Sequence, residues 1–245
     1  MNTKENLERL LDDSQYYGDF GRQFLSNSDV GDLLKDPRGF RQPREDNKSF
    51  AEGRYFHQSL LEPEKAALFP FIEASSRNTL VYKEAIALAE VPVMLLKKEK
   101  EELDRIVSIM RGNLWFYEQM YQNENRFEVP GITKIQDAWW KGKADIVSKD
   151  YIIDLKTTRS IDDFPFKAKT YNYDSQAYIY QTLFGKPFVF FAIEKGSGKM
   201  GVFHASDDFV MSGKRKVERA MEVYEKFFGE NATHDIDQFF VKETL

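Results

Sequence analysis

Two short and otherwise apolar runs near the middle of the chain each carry buried-looking charge. Lys143-Ala-Asp-Ile-Val147 and Tyr151-Ile-Ile-Asp-Leu-Lys-Thr157 are rich in β-branched and aromatic residues and read as strands. Ser148-Lys149-Asp150 supplies polar turn chemistry between them. With Lys149 and Asp150 at the centre of the turn, the hairpin pairs Val147 with Ile152 and Asp145 with Asp154. Opposed residues share a face, with Cβ atoms about 4.5–5.5 Å apart. Lys156 lies two residues beyond Asp154 and projects from that face, while Ile146, Ile153 and Leu155 take the other. Lys143 is set to face Lys156 across the hairpin.

Charges in such runs are costly unless compensated. Two bare carboxylates this close repel, and one tends to hold a proton. A divalent cation between them removes the conflict. Two carboxylates and a lysine held together are also what metal-assisted phosphodiester hydrolysis needs. The plainer alternative is a cross-strand Asp–Lys ion pair on a solvated hairpin, which the apolar flanks disfavour.

Length and composition bound the rest. The 245 residues suffice for one large domain or two small ones. The longest apolar runs, such as Phe188 to Ile193, are far too short to span a bilayer. Met1 to Asp13 is polar and charged, so no signal peptide is expected. The chain has no cysteine, which excludes disulfides, thiolate zinc sites and Cys-ligated iron–sulfur clusters. A cytoplasmic protein is the plain expectation. The net charge of −5 advertises no nucleic-acid binding, although basic residues can still gather in a groove. Clusters at Lys35, Arg38, Arg41 and Arg44, at Lys167 and Lys169, and at Lys214, Arg215 and Lys216 are the candidates.

Along the chain, residues 3–12 read as an amphipathic helix and Tyr16 to Arg22 as a loop. Ser26-Asn-Ser-Asp29 is a helix N-cap signature, and Pro37 ends that helix. Helices are expected over Phe50 to Leu61, Lys83 to Ala89, Lys97 to Gln122, Tyr173 to Phe184 and Asp207 to Phe228. Strands are expected over Arg126 to Pro130, Ile132 to Trp140, Lys143 to Val147, Tyr151 to Thr157, Pro187 to Glu194 and Met200 to Ala205. The last two are joined through Gly196-Ser-Gly198. The sum is one α/β domain over residues 1–245. Residues 1–122 are mostly helical, 123–205 form a sheet core, and 206–245 form a C-terminal helix and tail.

Asp145 followed by Asp154-Leu155-Lys156 resembles the core of the PD-(D/E)XK nuclease superfamily, with Ala144 in the place of the proline. Gln176-Ala-Tyr-Ile-Tyr180 resembles the Q-x-x-x-Y motif of its RecB-like branch. Gly53-Arg-Tyr-Phe-His57 with Leu60-Leu-Glu-Pro-Glu64 is similar to the G-x-x-x-H element of RecE-type exonucleases (exonuclease VIII). Phe24-Leu-Ser-Asn-Ser-Asp-Val30 is similar to the opening segment of the same phage-associated domains. A lone D-x-K arises by chance; four elements in the expected order are specific.

The resemblance implies a restriction-endonuclease-like core, a central mixed sheet flanked by helices, with a helical N-terminal elaboration. It implies Asp145, Asp154, the Leu155 backbone carbonyl and His57 as metal ligands, with Glu128 as a further candidate. Lys156 would position or activate the attacking water. Gln176 and Tyr180, on one helix face, would hold the lysine or the substrate phosphate. Lys143, Arg54, Lys167 and Lys169 are candidate DNA contacts, and Trp139 and Trp140 candidate stacking surfaces for unpaired bases. The implied cofactor is Mg²⁺, with Mn²⁺ as a substitute. The implied activity is digestion of double-stranded DNA ends, 5′ to 3′, in phage-type recombination in a bacterial cytoplasm. A single-strand annealing recombinase and a homo-oligomeric ring are the implied partners. A structure-specific or single-strand RecB-like nuclease, and an inactive DNA- or recombinase-binding module, are the competing readings.

Overall fold

A computed structural model describes residues 3–43 and 46–241; Arg44, one of the basic candidates, lies outside them. The first half contains helices α1 (Thr3–Leu10), α2 (Asp13–Tyr17), α3 (Asn27–Lys35), α4 (Lys48–Leu61) and α5 (Pro63–Ala67). Strand β1 (Phe71–Ile72), helix α6 (Leu80–Ala89) and strand β2 (Leu95–Leu96) follow, and then helices α7 (Lys97–Gly112) and α8 (Leu114–Met120). The second half runs β3 (Arg126–Ile135), β4 (Ala138–Val147), β5 (Ile152–Thr158), α9 (Phe164–Thr170), α10 (Tyr173–Phe184), β6 (Phe188–Glu194), β7 (Met200–His204) and α11 (Asp207–Phe227).

The main sheet is ordered β3-β4-β5-β6-β7. Only the β5–β6 pair is parallel, bridged by α9 and α10 as a parallel crossover requires. Strand β6 shows why its sequence is almost continuously apolar. Phe188, Phe190 and Ala192 enter the core shared with α3, α10 and α11. Val189, Phe191 and Ile193 enter the core shared with α4, α7 and α8. Both faces of the sheet are covered, so both alternating sets must be apolar. Ile146, Ile153 and Leu155 share the second core, as the hairpin pattern required.

Several boundaries differ from the sequence reading for identifiable reasons. The long helix expected over Lys97 to Gln122 breaks at Asn113, whose side chain accepts the Phe116 N–H and starts α8. Hydrophobic periodicity does not register such a cap. The strand expected to break after Pro130 continues to Ile135, because β3 is the sheet edge and a proline there removes no ladder donor. The turn instead lies at Gln136-Asp137, with Gln136 at φ +54°. Tyr16 to Arg22, expected as a loop, begins with the end of α2. The Ser26 cap, with Asp29 accepting the Ser26 N–H at 2.7 Å, is as expected.

The β4–β5 hairpin has the expected register, with Val147 opposite Ile152 and Ile146 opposite Ile153. The ladder then stops, one step short of the expected Asp145–Asp154 pair. Strand β4 leaves β5, and other groups take up the freed backbone of both strands. Leu155 N–H donates to Asp145 Oδ2 at 2.7 Å. The Tyr180 hydroxyl accepts from Lys143 N–H at 3.2 Å and donates to Lys143 C=O at 3.1 Å. Leu25 N–H donates to Trp139 C=O, and Lys141 N–H to Leu25 C=O, both at 2.8 Å. The splay also means that Lys143 does not meet Lys156: its ammonium pairs with Asp13.

Two glycines give a paired test of this packing. A Cβ on Gly213 of α11 would lie 1.9 Å from the backbone oxygen of Asp174 on α10, whereas a Cβ on Gly53 of α4 meets nothing within 4 Å. Gly213→Ala should destabilise by about 1–3 kcal/mol through overpacking. Gly53→Ala should stabilise by about 0.5–1 kcal/mol through helix propensity. Urea unfolding of both variants measures the contrast.

Candidate active site

Where β4 and β5 part, charged side chains from β3, β4, β5 and α4 converge, joined by Gln176 from α10. His57, on α4 over the sheet, sets Nδ1 3.3 Å from Asp145 Oδ1. Glu128 on β3 stands in register opposite Asp145 but is left out of the ladder, with φ +49°. A non-glycine residue in that region is strained and marks a site where geometry matters more than local comfort. One ligand atom each from His57, Glu128 and Asp145 fall within 4.8 Å of one another. Asp154 stands beside this group. Its Oδ1 accepts from Gln176 Nε2 at 2.6 Å, and its Oδ2 is 2.5 Å from Lys156 Nζ.

Burial sets the electrostatics. It would lift the pKa of both aspartates, but the His57 charge and the Leu155 N–H hold Asp145 below its usual value. Asp154 ends above its usual value, since burial and the Asp145 charge outweigh Lys156. Burial would lower His57, yet the Asp145 carboxylate raises it to about 9. Glu128 is pushed up to about 8, first by burial and then by the charge of Asp145. Lys156 is raised above the ordinary lysine range because Asp154, Tyr173 and Asp145 overcome its burial. It is therefore a fixed cation.

The donor set suits a hard divalent cation: two carboxylates and one imidazole, with a glutamate that burial and a neighbouring charge leave short of positive compensation. The other expected residues are placed as follows. Leu155 reaches the site through its N–H, while its side chain lies in the core. Gln176 holds Asp154 rather than Lys156. Tyr180 holds the Lys143 backbone. Lys143 is buried against Asp13, and Arg54 is paired with Asp46. Lys167 and Lys169 are exposed on α9. Trp140 is fully buried and offers no face to a base, whereas Trp139 is half-buried against the N-terminal core. Tyr173 was not foreseen: its ring lies 5.0 Å from Lys156 Nζ. Its spacing of three from Gln176 on α10 was the available signal.

The sequence over residues 33–233 matches a family described as a PDDEXK-like domain of unknown function, DUF3799. The chain belongs to this family. The PD-(D/E)XK resemblance is thus borne out, as is the mixed sheet flanked by helices. Among solved structures, a candidate exonuclease from Eubacterium rectale matches with a TM-score of 0.66 at 17% identity, covering 96% of this chain and 95% of its own. A phage-related exonuclease from Haemophilus somnus matches at 13% identity, covering 83% of this chain and 94% of its own, but with a TM-score of 0.32, too low to bear on the fold. No curated protein sequence matches. No helix among the described residues is long and apolar enough to cross a membrane.

Two outcomes test the geometry of this PDDEXK-like site. Tyr180→Phe strips the partner from both the N–H and the C=O of buried Lys143, and should cost about 1–3 kcal/mol in urea unfolding. Glu128 tests the electrostatics. Its folded pKa of about 8 exceeds the ordinary 4.5, so the folded state binds its proton more tightly and stability falls as pH rises from 4.5 to 8. Without metal, Glu128→Gln should gain of the order of 1–2 kcal/mol at pH 8 and nothing at pH 4. Unfolding free energies across that range show whether the slope is lost.

Proposed function

We propose that the protein is a divalent-metal-dependent nuclease that degrades double-stranded DNA from its ends, 5′ to 3′, in recombination of the phage type. The observation that carries the reading is the convergence of His57, Glu128 and Asp145 beside the Gln176–Asp154–Lys156 chain. His57, Glu128 and Asp145, joined by Asp154 and the Leu155 carbonyl, would hold Mg²⁺ or Mn²⁺. Such a cation, when bound, supplies a water of lowered pKa and positive charge for the leaving oxygen.

The chain's own residues have separate tasks. Lys156 keeps its proton, so it acts on the phosphate and the developing negative charge as a fixed cation rather than a base. Asp154 orients that ammonium and is itself held by Gln176 from α10. Tyr173 closes the site over Lys156. Tyr180 fixes the path of β4 and hence the position of Asp145. Attack of a water on the phosphorus, with the P–O3′ bond breaking and the 3′ oxygen leaving as a hydroxyl, would give a 5′ phosphate. The exonuclease name of the Eubacterium rectale relative supports action from ends. A ring-shaped oligomer and an annealing recombinase partner belong to the same reading.

Linear duplex labelled at either the 5′ or the 3′ end, incubated with Mg²⁺, gives the test. The 5′ label should be released first, and closed circular duplex should resist. Lys156→Ala and Asp154→Ala should each lower the rate by about 10²–10³-fold or more while the far-UV spectrum is unchanged. Full activity in Asp154→Ala would remove the assignment.

A further inference from the structure

Beside the metal-ligand cluster, three rings form a ladder on the surface. Tyr117 and Tyr121, four residues apart at the end of α8, have ring centroids 4.8 Å apart and planes at 49°. Tyr121 and Phe127 of β3 follow at 6.2 Å and 54°. Tyr117 is 49% exposed and Phe127 38%. The ladder is tied to the site at two points. Phe127 directly precedes Glu128, and the Tyr121 hydroxyl donates to Leu60 C=O at 2.8 Å, one turn beyond His57 on α4.

The charges around the ladder distinguish between occupants. Arg126 is exposed and pairs with no carboxylate among the described residues. Arg111 is held by the Ser59 carbonyl and the Tyr121 hydroxyl rather than by an acid. Glu118 and Glu124 are exposed on the same segment. The patch is thus close to neutral. A duplex, with its high phosphate density, needs a basic track. An unpaired strand stacks its bases on rings and needs cations beside them for its backbone, a part that the exposed Arg126 can play next to Phe127.

We infer that Tyr117, Tyr121 and Phe127 form a stacking track for unpaired nucleotides of a DNA strand leading to or from the cluster of His57, Glu128 and Asp145. The inference rests on the nuclease reading and adds the state of the DNA at the site: one strand is separated from the other before it passes α8. Bases, not the sugar-phosphate chain, provide the grip. These rings supply a stacking surface that the buried Trp140 cannot.

Binding of fluorescein-labelled oligothymidylate, followed by anisotropy in EDTA so that nothing is cut, tests it. Tyr117→Ala and Phe127→Ala should each weaken binding by about 5- to 100-fold, and Tyr117→Phe should bind like the wild type. An abasic strand of equal length should bind the wild type poorly. Thermal unfolding confirms that the variants fold, and digestion of labelled duplex by the wild type is measured alongside. Alanine variants that bind oligothymidylate like the wild type, or an abasic strand bound equally well, overturn the track even if duplex is digested; a protein partner would then be the occupant. A wild type that binds no DNA and digests none refutes the nuclease reading itself.

Discussion

The hydrogen bond from Leu155 N–H to Asp145 is the contact on which the site depends. It marks the point where β4 stops pairing with β5, and it converts a ladder position into a carboxylate position. Opening a sheet leaves backbone groups without partners, which burial makes costly. Here each gap is closed by a different part of the chain: the Asp145 carboxylate, the Tyr180 hydroxyl and the Leu25 backbone. The segments around Leu25, Asp145 and Tyr180, far apart in sequence, are therefore also parts of one repair. The same opening gives Glu128 and His57 room to approach Asp145.

Within this opening the carboxylates are compensated in different ways. Protonated His57 pairs with Asp145, Lys156 pairs with Asp154, and Glu128 is driven toward its neutral form. Buried pairs of this kind are poor sources of stability. Their clustering where β4 and β5 part is better explained by function than by folding, since perturbed groups concentrate where chemistry is done.

Much of this was legible in the sequence, and the limits are instructive. The alternation of Ile153 and Leu155 with Asp154 and Lys156 gave the face of each residue correctly, because side chains on a strand alternate strictly. The Gln176 helix was bounded at Tyr173 and Phe184 by periodicity alone. What local patterns could not reveal was where a ladder ends. Extending the hairpin register put Lys143 opposite Lys156; the splay gave Lys143 to Asp13, some 130 residues away. Likewise Tyr180 was expected to touch lysine or phosphate, but its hydroxyl is consumed by a backbone gap that exists only in three dimensions. Glu128 was legible as a candidate because it precedes the hairpin by one strand; its positive φ, which sequence does not encode directly, is what accompanies its exit from the ladder.

The central claim is that His57, Glu128 and Asp145 form a divalent-cation seat inside a PDDEXK-like fold. Anomalous diffraction from a crystal soaked in Mn²⁺ addresses it most directly. The account predicts a peak bonded to His57 Nδ1 and to oxygens of Glu128 and Asp145, with Lys156 still on Asp154. A map with no peak there, or with manganese only on surface carboxylates, would contradict it.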